Sequence, residues 1–142
     1  MVMKFFVDEK AHKLFRDLVD IKGSPFYKKD LKDVFIFSMA LAFKLGKRKP
    51  LEKKKDIADI SVFTESQLLL INSVAVATEN KLEILLDEKK KFEIAEEYAN
   101  AGVYILHEIV FESKEGVDDA IKILDKKISS LVISNEEKTN SG

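Results

Sequence analysis

The chain contains few of the residues on which several function classes depend. It has no cysteine, which excludes disulfide bonds, thiolate zinc sites and cysteine nucleophiles. Its only histidines are His12 and His107, so a histidine-rich metal site is not expected. Five glycines and two prolines fit helices better than a β-sandwich. The longest apolar run, residues 34–43, is too short for a membrane-spanning helix, which needs about 20 residues. We therefore expect a cytoplasmic protein without a membrane partner.

Length and composition predict one domain. The chain has 142 residues, of which 46% are apolar and 35% charged, values typical of a soluble globular protein. We expect a single domain over residues 3–133, followed by a mobile polar tail over residues 134–142. The formal net charge of -1 indicates no particular partner.

Apolar spacing predicts a compact all-α fold of five or six helices, with a short strand at residues 3–7. Asp8 and Asp30 are candidate N-caps, and Thr64 with Gln67 matches a capping box. Gly102, inside a helix, is expected to let a neighbouring helix approach closely. Helices are predicted over residues 9–22, 31–45, 65–77, 82–86, 87–111 and 117–132.

The predicted helix over residues 31–45 is apolar on nearly all sides. A helix without a polar face is buried on most of its surface. It is therefore either the central helix of the fold or part of an interface in a homo-oligomer.

Charge is distributed unevenly along the chain. Residues 1–71 carry a net charge of +5 and residues 72–142 a net charge of -6. Residues 44–55, the basic segment, hold seven cations and one anion. Such a cluster can bind phosphates, although a solvated loop that favours solubility has the same composition. The candidate nucleic-acid-binding residues are Lys47, Arg48, Lys49, Lys53, Lys54 and Lys55.

Motifs for catalysis are absent from the sequence. It has no phosphate loop, dinucleotide fingerprint, His-Glu-x-x-His motif or nucleophile elbow. We expect His107 to be a half-buried structural residue and His12 to be exposed. We predict no catalytic, cofactor-binding or metal-binding residues and no cofactor.

One acidic helix face leaves an enzymatic alternative open. Glu93 shares a helix face with Glu96 and with Glu97, and two such carboxylates can hold a divalent cation if another helix adds oxygen ligands. The common interpretation of this pattern is the hydrated face of a helix.

The order of the first 45 residues, a strand followed by two helices, also matches a ribbon-helix-helix unit, in which a two-stranded ribbon enters the major groove. Only Lys4 on that strand could reach a base or a phosphate. A DNA-binding regulator of this type is therefore an alternative.

Three stretches resemble small prokaryotic proteins associated with DNA phosphorothioation. They are KDVFIFSMALAF at 32–43, GKRKPL at 46–51 and IAEEYANAG at 94–102, and the similarity extends over residues 5–112. The resemblance implies an accessory role beside the proteins of a DNA modification and restriction complex, in antiviral defence. It supplies no catalytic residue.

The sequence therefore favours a non-enzymatic accessory protein that contacts the DNA backbone, or an acidic partner, through the basic segment. A helical oligomerisation or interaction protein without nucleic-acid contact is a further alternative.

Overall fold

A computed structural model describes residues 3–112. The predicted helix at 117–132, the predicted tail at 134–142 and the end of the predicted domain lie outside the described residues. The described chain forms two strands, four α-helices and two short 3-10 turns, at Ile60–Val62 and Leu82–Leu86. The elements are β1 (Lys4–Asp8), α1 (Glu9–Asp20), α2 (Leu31–Leu45), β2 (Lys54–Asp59), α3 (Glu65–Glu79) and α4 (Glu88–Phe111).

The fold is predominantly helical, as predicted, but residues 3–112 contain four α-helices and not five or six. The predicted helical element at 82–86 is a 3-10 turn. Its length is set by Asp87, whose amide donates to the Ile84 carbonyl and whose carboxylate caps α4 by accepting from the Lys90 amide at 3.1 Å. The turn therefore ends where α4 begins.

The sheet is a two-stranded antiparallel pair of β1 and β2. The predicted N-terminal strand is confirmed, whereas β2 is a strand that the sequence pattern does not indicate, because its first half is Lys54-Lys55-Asp56. Only Ile57 in β2 is buried. The register skips Ile57 between the pairs Phe5–Ala58 and Phe6–Asp56, which places a β-bulge beside Phe6.

The ribbon-helix-helix alternative is wrong, because β1 is already paired with β2 of the same chain. Its other edge is also occupied: the Phe6 amide donates to Glu96 and the Asp8 amide donates to Asn100, both on α4. No edge of β1 is left for a two-fold ribbon.

The core lies between α2 and α4, with β1 at one end. The Phe5 ring lies 5.0 Å from the rings of Phe35 and Phe63 and 4.8 Å from that of Phe92. Helix α2 packs against α1, α3 and α4, so its apolar surface is largely used inside the chain. This confirms the interpretation of α2 as the central helix.

Gly102 brings α4 unusually close to α2. A Cβ atom built there would lie 1.9 Å from the Ser38 carbonyl oxygen, which is backbone of α2. The predicted close approach of a neighbouring helix at Gly102 is therefore confirmed, and this pair of helices determines where the rest of α4 lies.

Among residues 3–112, no helix combines the length and the apolar content needed to cross a membrane.

Candidate functional site

The basic segment leaves α2 through a left-handed residue. Gly46 has φ 66°, and the amides of Gly46 and Lys47 donate to carbonyls in the last turn of α2. Glycine adopts this conformation without a steric penalty, which is why the helix ends here. The chain then crosses α4, where the Lys49 amide donates to the Glu97 carbonyl at 3.1 Å.

A buried polar pair, Asp8 and Asn100, fixes the basic segment in place. The Asn100 side chain accepts from the Asp8 amide at 2.9 Å and donates to the Asp8 carboxylate at 3.0 Å and to the Lys49 carbonyl at 3.2 Å. The Asp8 carboxylate also accepts from the amides of Glu52 at 2.5 Å and Lys53 at 3.2 Å. The basic segment is therefore held at Lys49, Glu52 and Lys53.

Asp8 occupies the predicted N-cap position of α1, but its side chain does not cap that helix. Burial by itself would raise the pKa of this carboxyl. The hydrogen bonds from Asn100 and from the Glu52 and Lys53 amides, with the charge of Lys49, outweigh burial and lower the pKa of Asp8 below its usual value. Asp8 is thus a buried anion that the basic segment folds around.

Two of the six candidate cations face the acidic side of α4. The Arg48 guanidinium donates to the Glu97 carboxylate at 3.0 Å and lies 5.6 Å from the Tyr98 ring centroid. Lys54 lines a cavity of about 200 Å³ together with Glu93, Glu96 and Glu97. The acidic face of α4 therefore offsets the charge of Arg48 and Lys54.

Lys49 and Lys53 point to a different place. They line a cavity of about 390 Å³, which we call the lysine pocket, and the Lys49 ammonium lies 4.2 Å from the centroid of the Tyr104 ring. The other lining residues are Asp8, Glu9, Lys10, Lys13, Glu52 and Tyr104.

Lys47 and Lys55 are exposed outside both cavities. Lys55 lies near His12, which the structure places half-buried on α1 and not exposed as predicted. Burial, followed by the charges of Lys55 and Arg16, lowers the pKa of His12. The prediction of an exposed His12 is wrong because β2 packs against α1 and brings Lys55 near this side chain.

Glu96 is a buried carboxyl on α4. It accepts a 2.6 Å hydrogen bond from the Phe6 amide, at the β-bulge of the sheet. Burial raises the pKa of Glu96 to about 7, while the Phe6 hydrogen bond and Lys54 oppose the rise. This side chain therefore anchors β1 to α4.

The acidic face of α4 is not assembled as a metal centre. Within the described residues, no group of three or more His, Cys, Asp or Glu side chains is placed to hold a metal ion. Glu96 is bonded to β1 and Glu97 to Arg48. His107 bonds Asp17 at 2.9 Å and its ring lies 4.6 Å from that of Phe111, in agreement with a structural role.

Sequence reasoning missed Lys10, Lys13 and Tyr104, which complete the lysine pocket. Lys10 and Lys13 are three residues apart on the hydrophilic face of α1, a spacing that places both on one side of a helix. That spacing was visible in the sequence. Their proximity to the basic segment was not, since it depends on contacts between residues more than 40 positions apart.

Comparison with known proteins identifies a family for the chain. No curated protein and no solved structure matches the chain. The family model described as DNA sulphur modification system-associated protein 4 matches residues 7–141, nearly the whole chain. The chain therefore belongs to this family of proteins associated with DNA sulphur modification systems.

Proposed function

We propose that this protein is a non-enzymatic accessory component of a DNA sulphur modification system and that its basic segment contacts the DNA backbone. Membership of the family supports the accessory role. The contact with DNA rests on one observation, the anchored and largely unpaired lysines of the basic segment.

Four of the six candidate cations are available to a ligand. No described carboxylate lies within ion-pair distance of Lys47, Lys49, Lys53 or Lys55. Asp8 and Asn100 fix the backbone at Lys49 and Lys53, which reduces the backbone entropy lost when these two lysines meet a ligand. Anchored, unpaired ammonium groups fit a polyanion better than they fit a loop that serves only solubility.

Contact with phosphates predicts how binding would behave. Lysines that meet phosphates position a protein on DNA without reading the base sequence. Such binding weakens as the salt concentration rises. Each neutralised phosphate makes the slope of log affinity against log salt concentration steeper by about 0.9. We therefore expect binding that varies little between sequences of equal length and that falls steeply as salt rises.

A non-enzymatic role fits the state of the titratable groups near the segment. Asp8, Glu96 and Glu97 each hold backbone or side-chain donors in place. His107 is occupied by Asp17. These groups act as structural anchors and are poorly placed to act on a substrate.

The test is duplex binding by the variant Lys47→Gln/Lys53→Gln/Lys55→Gln over a series of salt concentrations. Loss of three phosphate contacts would lower the salt slope by about 2.7 and the affinity at 0.1 M salt by up to ~500-fold. The matched control is Lys22→Gln/Lys81→Gln/Lys89→Gln, which removes the same charge from exposed lysines outside the basic segment. Fluorescence anisotropy with two duplexes of unrelated sequence gives both values.

Two results would reject the contact with DNA. One is the absence of duplex binding by the parent protein at 50 mM salt. The other is an equal loss of affinity in the variant and in its control. That result would show that binding depends on the net charge of the protein and not on the basic segment.

A second candidate function is interaction with a further copy of the chain. The large apolar side chains that remain exposed include Leu69 of α3 at 65% and Leu82 and Leu86 of the 3-10 turn at 70% and 87%. A contiguous exposed apolar patch marks an interaction site, and we propose that these leucines form one. Light scattering that finds only monomer at high protein concentration would count against this function.

A further inference from the structure

The lysine pocket has two walls that carry the same charge. Lys10 and Lys13 come from one side of α1, and Lys49 and Lys53 come from the basic segment. Tyr104 of α4 also lines the pocket, and the Lys49 ammonium lies 4.2 Å from the centroid of its ring. Four lysines from two separate elements therefore line one cavity of about 390 Å³.

The two walls are joined directly through their backbones. The Glu9 amide, in the first turn of α1, donates to the Lys53 carbonyl at 2.9 Å. One residue earlier, the Asp8 carboxylate accepts from the Glu52 and Lys53 amides. The spacing between the walls is thus fixed before any ligand binds, which reduces the entropy lost on binding.

The lining of the pocket carries four lysines and three carboxylates, a net charge of +1. Of its three carboxylates, that of Asp8 is buried and already accepts three hydrogen bonds. Glu9 and Glu52 are exposed, and neither lies within ion-pair distance of a described lysine. Like charges gathered in a concave site repel one another and attract an anion. A ligand with two or more negative oxygens would relieve this repulsion.

We propose that the lysine pocket binds a phosphate group, held between Lys10 and Lys13 of α1 and Lys49 and Lys53 of the basic segment. Lysine binds phosphate as a point charge without fixed geometry, which suits four flexible side chains around one group. The inference rests on the proposed function in taking the DNA backbone as the source of that phosphate. A free phosphorylated small molecule has the same chemistry and is separated from DNA by the test.

The test uses Lys10→Gln/Lys13→Gln, because these two residues lie outside the basic segment. Two probes are applied, a DNA duplex followed by anisotropy and inorganic pyrophosphate followed by calorimetry. Because the pocket holds one phosphate, weakening this contact would lower the salt slope by up to about 0.9 and the duplex affinity at 0.1 M salt by up to ~8-fold. The matched control is Lys22→Gln/Lys89→Gln.

Each pattern of results has one meaning. Weaker duplex binding in Lys10→Gln/Lys13→Gln than in its control supports the pocket, with DNA as the phosphate source. Pyrophosphate binding that depends on Lys10 and Lys13, in a protein that does not bind the duplex, supports the pocket with a free phosphate and rejects the proposed function.

Two further patterns overturn the inference. If the basic-segment variant loses duplex binding while Lys10→Gln/Lys13→Gln matches its control with both probes, the pocket is rejected and the proposed function stands. If the parent protein binds neither probe, both are rejected.

Two measurements guard against a variant that fails to fold. Lys10→Arg/Lys13→Arg keeps both charges and should restore binding with the duplex. Chemical acetylation of the unmodified protein, read by mass spectrometry, should be slowed at the four pocket lysines by the bound probe and unchanged at Lys22. Equal acetylation of all these lysines with and without saturating probe would contradict the pocket.

Discussion

The contact between Gly102 and Ser38 provides a sharp test of the helix packing, through the substitution Gly102→Ala. The added Cβ atom would lie 1.9 Å from the Ser38 carbonyl oxygen, whereas real Cβ contacts are essentially never shorter than 3.0 Å. Helix α4 must therefore move away from α2 by about 1.1 Å along this line. Because the obstructing atom is helix backbone, no side-chain rotation can relieve the contact.

Two opposing effects decide how much Gly102→Ala changes the free energy of unfolding. Alanine is favoured over glycine inside a helix by about 1 kcal/mol. Inserting an atom into a tightly packed interface destabilises a protein by about 1–3 kcal/mol or more, and a contact this short belongs at the upper end. We expect a net loss of about 2 kcal/mol in the free energy of unfolding, or about 4–8 °C in Tm for a domain of this size.

Gly46→Ala is the matched control, since it separates backbone strain from steric overlap. Gly46 has φ +66° and no atom within 4 Å of a built Cβ, so only the left-handed backbone opposes alanine there, by about 1 kcal/mol. Urea unfolding followed by circular dichroism measures both variants. A Gly102→Ala protein as stable as the parent would refute the packing that we describe between α2 and α4.

Two other substitutions test the buried polar groups. Asn100→Ala removes three hydrogen bonds around Asp8 and should lower the unfolding free energy by about 3 kcal/mol, against little change in Asn72→Ala. Because the pKa of Asp8 is lowered from its ordinary value of 3.8, the ionised carboxylate stabilises the fold at pH values above 3.8. The difference in unfolding free energy between the parent and Asn100→Ala should therefore narrow as the pH falls below 3.8. An unchanged difference would contradict the role of Asp8. Glu96→Gln keeps an acceptor for the Phe6 amide but removes a carboxyl whose pKa of about 7 lies above its ordinary value of 4.5. Between pH 4.5 and 7 the parent should lose up to ~3 kcal/mol of stability, because over this range the Glu96 carboxyl is ionised in the unfolded chain but still protonated in the folded protein. The variant has no carboxyl at this position and should not show this loss. Parallel pH profiles of the two proteins in urea unfolding would refute the burial of an ionisable Glu96.

Local signals in the sequence predicted most helix boundaries correctly. The capping box of Thr64 and Gln67 begins α3 as expected, with both reciprocal hydrogen bonds present. Gly46 ends α2, and Asp87 caps α4. These features depend on residues within one helical turn of each other, so the sequence alone contains the information.

The candidate site could be predicted only in part, because its geometry depends on distant contacts. Strand β2 consists mainly of charged residues and is stabilised by pairing with β1, so its own side chains gave no strand pattern. The sequence grouped Arg48 and Lys54 with the other cations of the basic segment, but the fold turns them toward α4. The sequence contains no sign that these two cations are separated from the other four, since Glu97 is 49 positions from Arg48.

The Asp8–Asn100 pair also constrains the order in which the protein can be assembled. Asn100 follows Asp8 by 92 positions and Lys49 by 51, so the side-chain amide that secures Lys49 is synthesised long after the residues that it secures. Contacts between distant positions require closure of a long loop and form slowly. Newly synthesised chains therefore pass through a stage in which the cationic stretch has left the ribosome without its anchor, and at that stage it is open to proteolysis and to nonspecific attraction to RNA.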